Sequence, residues 1–249
     1  MRVKGLLLDL DGTLYVGDGA VPGALEALEH FRGAGLSLRY VTNTTRRPRR
    51  KVAERMQELG FGVDPSEVFT PAAAAAALIG AGGCLPLVAE ALMEDLPNVR
   101  VEQGRPDHVL IGDLGEAFTY ARLDQAFRCL MDGAGLIALQ KNRYWQTETG
   151  LSLDAGPFVA ALEFASGKRA SVVGKPEKEF FESALGDLGL EAADVVMVGD
   201  DPVSDVAGAR RAGLKAVQVR TGKWRPGGDA GEADLILDSV ADLPSLLQL

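Results

Sequence analysis

Two aspartates separated by a single residue could do chemistry together near the start of the chain. Asp9 and Asp11 follow directly after the apolar run Leu6-Leu7-Leu8, and Gly12 comes next. One carboxylate of such a pair can attack an electrophile such as phosphorus while the other transfers protons. The same residues also suit a solvated turn, because Asp and Gly are common turn residues. The pair alone leaves both interpretations open.

A second group of aspartates follows another apolar run, residues 195–198. Asp200 and Asp201 come directly after Gly199, and Asp205 lies a short way further along. Carboxylates that face one pocket repel one another unless a cation neutralises them. Oxygen ligands without a neighbouring His or Cys favour a hard ion, most simply Mg²⁺. Carboxylates near a helix N-terminus are also favourable without any function, and this alternative stays open.

Two further segments carry residues that can hold an anion such as a phosphoryl group. Thr42 and Asn43 follow a predicted strand at 36–41, and Lys175 follows a shorter predicted strand at 170–174. A hydroxyl, backbone N–H groups and an ammonium are suitable donors to phosphate oxygens. Thr and Asn also favour the N-cap of a helix, and the two interpretations are compatible because a helix N-terminus attracts anions.

The apolar pattern predicts the elements that must position these residues. The runs before Asp9 and Asp200 do not alternate with polar residues, which is typical of central strands in a parallel sheet. Each of the four polar groups follows a predicted strand, and ligands bind at the carboxyl edge of open parallel sheets. We therefore expect an α/β fold with a Rossmann-like parallel-sheet core, in which the four groups meet at one edge.

The middle of the chain predicts a second unit of the same class. The alternation of strands and helices continues beyond the glycine-rich stretch at 80–83, over roughly ninety residues, which is too long for a loop. We expect a core formed by residues 1–80 and 170–249, with an inserted α/β domain at 81–169.

One segment of the inserted domain could contact a substrate. Arg143 can bind a phosphate or carboxylate, and Tyr144 and Trp145 offer flat contact area with a polar atom. Core packing with one surface cation explains this segment equally well. The basic run Arg46–Lys51 has a similar ambiguity, because it fits either a solvated helix face or a rim that attracts an anionic substrate.

Composition excludes several classes of function. The chain has 249 residues and a formal net charge of −9, which disfavours nucleic acid or an anionic membrane as a partner. Its 2 cysteines suit a reducing cytoplasm, and its 2 histidines argue against a multi-histidine zinc site. The sequence contains neither GxSxG nor GxxxxGK[ST], so a serine hydrolase and a P-loop nucleotide site are not supported. We expect a cytoplasmic protein without a signal peptide or membrane span.

The four polar segments together resemble the four motifs of the haloacid dehalogenase (HAD) superfamily. They are Asp9–Leu14, Val41–Asn43, Gly174–Pro176, and Gly199–Asp201 with Asp205. The inserted unit resembles the C2-type cap of the class IIA, NagD-like phosphatases. Two stretches, 150–158 and 172–177, are particularly similar to the branch that contains phospholysine phosphohistidine inorganic pyrophosphate phosphatase.

This resemblance implies a Mg²⁺-dependent phosphatase that acts through an aspartyl-phosphate. Asp9 would be the nucleophile and a metal ligand, and Asp11 the acid/base, which also binds the metal through its backbone carbonyl. The remaining implied roles are phosphoryl binding by Thr42, Asn43 and Lys175, and metal binding by Asp200 and Asp205. The role of Asp201 stays open. The cap would select the leaving group, with Arg143, Tyr144 and Trp145 as the candidate specificity residues.

The resemblance leaves the substrate open within a class. Small phosphorylated metabolites are expected, whether phosphomonoesters, pyrophosphate or N-phosphorylated compounds, and NagD-like proteins often form homodimers through their caps. A phosphomutase would use the same nucleophile and acid/base. A receiver module that stores phosphate on an aspartate is a more distant alternative, because receivers have their phosphoacceptor on a middle strand and need no inserted domain.

Overall fold

The structure is a computed structural model that describes residues 3–147, 150–224 and 233–247, with the backbone alone described at 145–147. The strands in the described residues are β1 Gly5–Asp9, β2 Tyr15–Val16, β3 Gly19–Ala20, β4 Ser37–Val41, β5 Val68–Phe69, β6 Gly83–Leu87, β7 Arg100–Val101, β8 His108–Ile111, β9 Gly135–Ala138, β10 Tyr144–Thr147, β11 Gly150–Leu153, β12 Ser171–Val172, β13 Val195–Gly199, β14 Lys215–Val219 and β15 Leu235–Leu237.

The helices are joined to these strands by short turns and single 3₁₀ segments. They are α1 Ala24–Gly33, α2 Arg49–Glu58, α3 Pro71–Ile79, α4 Tyr120–Met131, α5 Gly156–Ser166, α6 Lys178–Leu188, α7 Gly208–Arg211 and α8 Leu243–Leu246. A π-helical turn, Pro202–Ala207, precedes α7. No helix in the described part of the chain combines the length and apolar character that crossing a bilayer requires.

The described residues divide into two compact units. The first contains residues of 1–42, 49–69 and 175–249, and the second contains 43–48 and 70–174. These limits differ from the expected domain boundaries, because residues 43–48, α3 and residues 170–174 fall in the second unit rather than in the core.

The first unit is built on a six-stranded sheet of order β15-β14-β13-β1-β4-β5, whose neighbouring strands are all parallel. β1 lies inside the sheet between β13 and β4. Leu6 and Leu8 are fully buried in one core cluster with Phe31 and Tyr40, and Leu7 is fully buried as well. The prediction that this leucine run forms a central strand with both faces covered is confirmed.

The second unit has its own sheet and its own core. Five parallel strands run in the order β12-β9-β8-β6-β7, and β10 and β11 form a separate antiparallel hairpin. Val109 and Ile111 of β8 are fully buried in a cluster that includes Leu130 of α4 and Leu162 of α5. The expected second α/β unit is therefore present.

The strand before Lys175 lies in a different sheet from the one the sequence analysis expected. β12 pairs with β9 of the second unit, with Ser171 opposite Ile137 and Val172 opposite Ala138. The inference that all four polar groups follow strands of one sheet was therefore wrong for Lys175. A short apolar run predicts a strand but carries no information about which partner strand it joins, since that depends on the tertiary fold.

Candidate active site

Three buried aspartates of the first unit form one acidic centre. Asp9 is the last residue of β1, Asp200 follows β13 directly, and Asp205 lies in the π-helical turn. Each offers a carboxylate oxygen, and these oxygens all lie within 4.8 Å of one another. Because β1 and β13 are parallel neighbours, their carboxyl ends meet at the same edge of the sheet. The carboxylates of Asp9, Asp200 and Asp205 thus lie together, and their catalytic and metal-binding roles stay predictions.

Lys175 is the cation of this centre. Its Nζ donates to Oδ1 of Asp9 at 2.5 Å and to Oδ1 of Asp205 at 2.7 Å, and its side chain is almost fully buried. Burial would lower the pKa of Lys175, but the carboxylates of Asp205 and Asp9 outweigh it and hold the pKa above its usual value. The ammonium therefore stays charged at neutral pH and can attract a phosphoryl oxygen.

The carboxylates of the centre carry more negative charge than Lys175 can neutralise. Burial raises the pKa of Asp9, despite the opposing Lys175 ammonium, and the charge of Asp200 raises it further. Burial and the neighbouring Asp9 raise the pKa of Asp205 to about 6. Burial also raises the pKa of Asp200. Clustered carboxylate oxygens with excess charge fit a hard divalent cation, and Asp9, Asp200 and Asp205 are the residues that would hold it.

Glycines bring the backbone into direct contact with these carboxylates. A Cβ on Gly12, which has a φ of +88°, would lie 2.3 Å from Oδ2 of Asp200, and a Cβ on Gly222 would lie 2.0 Å from the same oxygen. A Cβ on Gly199 would lie 2.3 Å from Oδ2 of Asp205. Real side chains do not tolerate such distances, so the acidic centre depends on glycine at these positions.

Asp11 lies in the tight turn that follows β1. The turn is closed by hydrogen bonds from Gly12 N–H to the Tyr15 carbonyl at 2.8 Å and from Leu14 N–H to the Leu10 carbonyl at 2.9 Å. The Asp11 side chain is exposed, and it is not one of the three carboxylates grouped among the described residues. Its roles as acid/base and as a metal ligand through its carbonyl remain predictions.

The predicted phosphate-binding residues Thr42 and Asn43 follow the end of β4. Both are half-buried, and the Thr42 N–H donates to the carbonyl of Phe69 at 3.2 Å. Thr42 belongs to the first unit, and Asn43 is the first residue of the second. Their contribution to phosphate binding stays a prediction, as does that of Lys175.

The candidate specificity residues begin the β10–β11 hairpin of the second unit. Arg143 and Tyr144 are exposed, and the guanidinium carbon lies 6.0 Å from the centre of the tyrosine ring. The side chain of Trp145 lies outside the described residues. These positions leave the predicted substrate contacts untested.

The residues of the basic run Arg46–Lys51 form ion pairs in both units. Arg46 forms an ion pair with the buried carboxylate of Asp113 in the second unit. Arg50 and Lys51 both pair with Glu54 on the surface of α2, at the spacing of helical neighbours. For Arg50 and Lys51, these contacts fit the interpretation as a solvated helix face.

The loop after β14, residues 221–223, contacts the acidic centre, which the sequence pattern did not predict. The Lys223 N–H donates to Oδ2 of Asp200 at 2.6 Å, and the Thr221 hydroxyl donates to the Gly12 carbonyl at 2.5 Å. Lys223 also reaches Asp201, with Nζ 2.7 Å from Oδ2. The available signal was the position of the loop, because it follows a strand, β14, just as Asp200 follows β13.

Two family profiles match the chain. One is described as haloacid dehalogenase-like hydrolase and matches residues 6–101, and the other, HAD-hydrolase-like, matches residues 172–243. Haloacid dehalogenase-like hydrolase domain-containing protein 2 from Homo sapiens is 45% identical, over 90% of this chain and 86% of that protein. Phospholysine phosphohistidine inorganic pyrophosphate phosphatase from Homo sapiens is 40% identical, over 98% of this chain and 94% of that protein.

Solved structures with the same fold include phosphatases and NagD. The p-nitrophenyl phosphatase from Archaeoglobus fulgidus has a TM-score of 0.89 and 26% identity, over 99% of this chain and 100% of that one. NagD from E. coli K-12 has a TM-score of 0.87 and 26% identity, over 97% of this chain and 98% of that one. A glycerol phosphate phosphatase from Mycobacterium tuberculosis was solved in complex with magnesium. It has a TM-score of 0.83 and 29% identity, over 99% of this chain and 78% of that one.

The profile matches, the identity to curated relatives over most of both chains, and the shared fold agree with the motifs of the sequence. The expected resemblance is confirmed, and the chain belongs to the haloacid dehalogenase-like hydrolase family, with the α/β fold of its NagD-like members.

Proposed function

We propose that this hydrolase is a Mg²⁺-dependent phosphatase for small phosphorylated metabolites, and that it acts through an aspartyl-phosphate on Asp9. The observation that carries the proposal is the acidic centre, in which Asp9, Asp200 and Asp205 lie within 4.8 Å of one another. The names of the relatives support phosphate substrates, since they include a pyrophosphate phosphatase and a glycerol phosphate phosphatase.

The first chemical step transfers the phosphoryl group to the enzyme. A carboxylate oxygen of Asp9 attacks phosphorus, the bond from phosphorus to the leaving group breaks, and Asp11 donates a proton to that leaving group. Lys175, with Thr42 and Asn43, holds the phosphoryl oxygens during the transfer. When bound, Mg²⁺ supplies positive charge that offsets the charge of these oxygens and of the carboxylates.

The second step releases phosphate. Asp11, now deprotonated, takes a proton from a water molecule, whose oxygen attacks phosphorus and breaks the bond to Asp9. Inorganic phosphate leaves, and both aspartates return to their starting states. Proton transfer by a positioned carboxyl group typically contributes about 10²–10⁴-fold to the rate.

Hydrolysis of p-nitrophenyl phosphate tests the reaction. We expect MgCl₂ to support turnover, EDTA to remove it, and Asp9→Asn to reduce kcat by at least about 10³-fold, because the amide cannot attack phosphorus. Asp18→Asn is a suitable control, because this exposed aspartate of the same unit pairs only with Arg55 among its described contacts.

Three results would contradict the proposal. Turnover that survives both EDTA and Asp9→Asn would exclude the metal-dependent nucleophile. Transfer of the phosphoryl group to a second position of the substrate, without release of phosphate, would indicate a phosphomutase. A phosphoenzyme that persists for many minutes without steady-state turnover would indicate the receiver alternative.

We also propose that Arg143 contributes to the choice of substrate. We expect Arg143→Ala to change kcat/KM by about 10-fold between small phosphate esters, pyrophosphate and an N-phosphorylated amine, through KM, because a guanidinium binds anionic groups of some substrates and not of others. The measurement is a set of steady-state assays on these substrates with released phosphate as the readout.

Arg128→Ala is the matched control for this substitution, because Arg128 is an exposed arginine of the same unit that pairs with Asp124 on α4. An unchanged ranking of substrates in Arg143→Ala would exclude Arg143 as a specificity residue, while leaving the phosphatase proposal in place.

A further inference from the structure

The 221–223 loop holds the carboxylate of Asp200 from one side. Lys223 donates its backbone N–H to Oδ2, and a Cβ on Gly222 would lie 2.0 Å from the same oxygen. The Thr221 hydroxyl donates to the carbonyl of Gly12, and Gly12 also lies against Oδ2 of Asp200. This loop and the turn that follows β1 therefore both contact the Asp200 carboxylate.

The side chain of Lys223 joins the same loop to the segment that carries Asp205. Its Nζ lies 2.7 Å from Oδ2 of Asp201. The other carboxylate oxygen, Oδ1, accepts two backbone N–H groups at the start of the π-helical turn, both at 2.9 Å. The backbone N–H of Asp201 donates to Oδ2 of Asp205 at 3.1 Å. The ion pair between Lys223 and Asp201 thus connects the loop that contacts Asp200 to the backbone N–H that contacts Asp205.

We propose that Lys223 and Asp201 are positioning residues for the metal ion, because their ion pair keeps Asp200 and Asp205 at the spacing a divalent cation needs. The inference rests on the proposed magnesium-dependent function. Asp201 is not one of the three carboxylates grouped among the described residues, and its oxygens already accept the ammonium and two N–H groups. Groups that orient metal ligands typically contribute about 10- to 100-fold to metal affinity.

A single substitution at Lys223 would combine two opposing effects. Loss of the ammonium loosens the loop, which weakens metal binding, but it also removes a positive charge that repels a cation. The double variant Lys223→Ala/Asp201→Asn removes one positive and one negative charge, so the net charge of the protein does not change. The change in metal affinity then reports positioning.

The experiment is a calorimetric titration of the whole protein with MgCl₂ alone. We expect the double variant to bind Mg²⁺ about 10-fold more weakly than the unsubstituted protein, at the lower end of the range because Lys223 is largely exposed. Lys178→Ala/Glu182→Gln is the matched control, since this ion pair on α6 also has a length of 2.7 Å. We expect Lys223→Arg, which keeps the charge, to bind Mg²⁺ like the unsubstituted protein.

Melting temperatures in EDTA verify that each variant is folded. If the alanine variant does not fold, the same titration is made with Lys223→Met/Asp201→Asn, which keeps the apolar part of the lysine. Equal Mg²⁺ affinity in the double variant and the unsubstituted protein would overturn the inference and leave the proposed function standing. Failure of the unsubstituted protein to bind Mg²⁺ would overturn both. An equal loss in the α6 control would also overturn the inference.

Discussion

Aspartates of one site differ in ionisation because their surroundings differ. Asp205 is fully buried beside Asp9, and burial and this neighbouring charge raise its pKa to about 6. Burial would also raise the pKa of Asp201, but hydrogen bonds from Lys223 and from the Ser204 N–H outweigh burial and lower it. The pKa values of Asp205 and Asp201 therefore shift in opposite directions, although both carboxylates accept hydrogen bonds.

The raised pKa of Asp205 predicts that Mg²⁺ stabilises the protein in a pH-dependent way. Below about pH 6 the folded, metal-free protein protonates Asp205, and the proton competes with the cation. A carboxyl whose folded pKa is raised stabilises the protein at low pH, and this contribution is lost as the pH rises through the folded value. We therefore expect MgCl₂ to raise the melting temperature more at about pH 7.5 than at about pH 5, a comparison that differential scanning fluorimetry makes directly.

Asp205→Asn is the control for this pH dependence, because an amide does not titrate between these pH values. We expect the variant to show a smaller Mg²⁺ effect that depends less on pH, because Asp9 and Asp200 remain titratable. An Mg²⁺ effect in the unsubstituted protein that is equal at both pH values would contradict the proposed metal-binding role of Asp205.

At the scale of elements, β1 ends at Asp9, the proposed nucleophile, and is an enclosed strand of the first unit. Its neighbours β13 and β4 pair with it in parallel on both sides, and its side chains are buried on both faces. Such a strand cannot shift in register without exposing its leucines. The position of Asp9 at its end is therefore fixed by the packing of the residues before it.

Truncation of this strand is expected to destabilise the first unit. Leu6 is fully buried in the core cluster, and we expect Leu6→Ala to reduce the free energy of unfolding by about 2–5 kcal/mol, because the cavity left behind adds to the lost transfer free energy. Leu246, which is 52% exposed on α8, is the control, and Leu246→Ala is expected to change it by no more than about 0.5 kcal/mol. Urea denaturation monitored by circular dichroism measures both, and equal effects would contradict the predicted burial of β1.

At the scale of the whole molecule, the strand order brings distant parts of the chain together. The order β14-β13-β1-β4 places the ends of β13 and β1 side by side, although Asp9 and Asp200 are far apart in sequence. Lys175 is the residue at which the chain returns to the first unit, and its ammonium contacts Asp9. The order of the strands in the sheet therefore brings the residues of the acidic centre together, and no single segment of the chain contains them all.

The sequence by itself predicted the central strands, the α/β class of both units and the aspartates that the structure groups together. An uninterrupted apolar run such as Leu6–Leu8 predicts a buried strand regardless of its partners, since burial on both faces leaves no position for a polar residue. The group of Asp9, Asp200 and Asp205 followed because parallel strands end at one edge.

Only the tertiary structure decided which sheet each short strand joins and which loops support the site. β12 pairs in the second unit, against expectation, because two residues carry too little pattern to specify a partner. Lys223 supports Asp200 through its backbone N–H, a group that every residue except proline possesses and that no sequence pattern marks. The residue types therefore predicted the chemistry, and the strand order and backbone contacts determined the geometry that holds it.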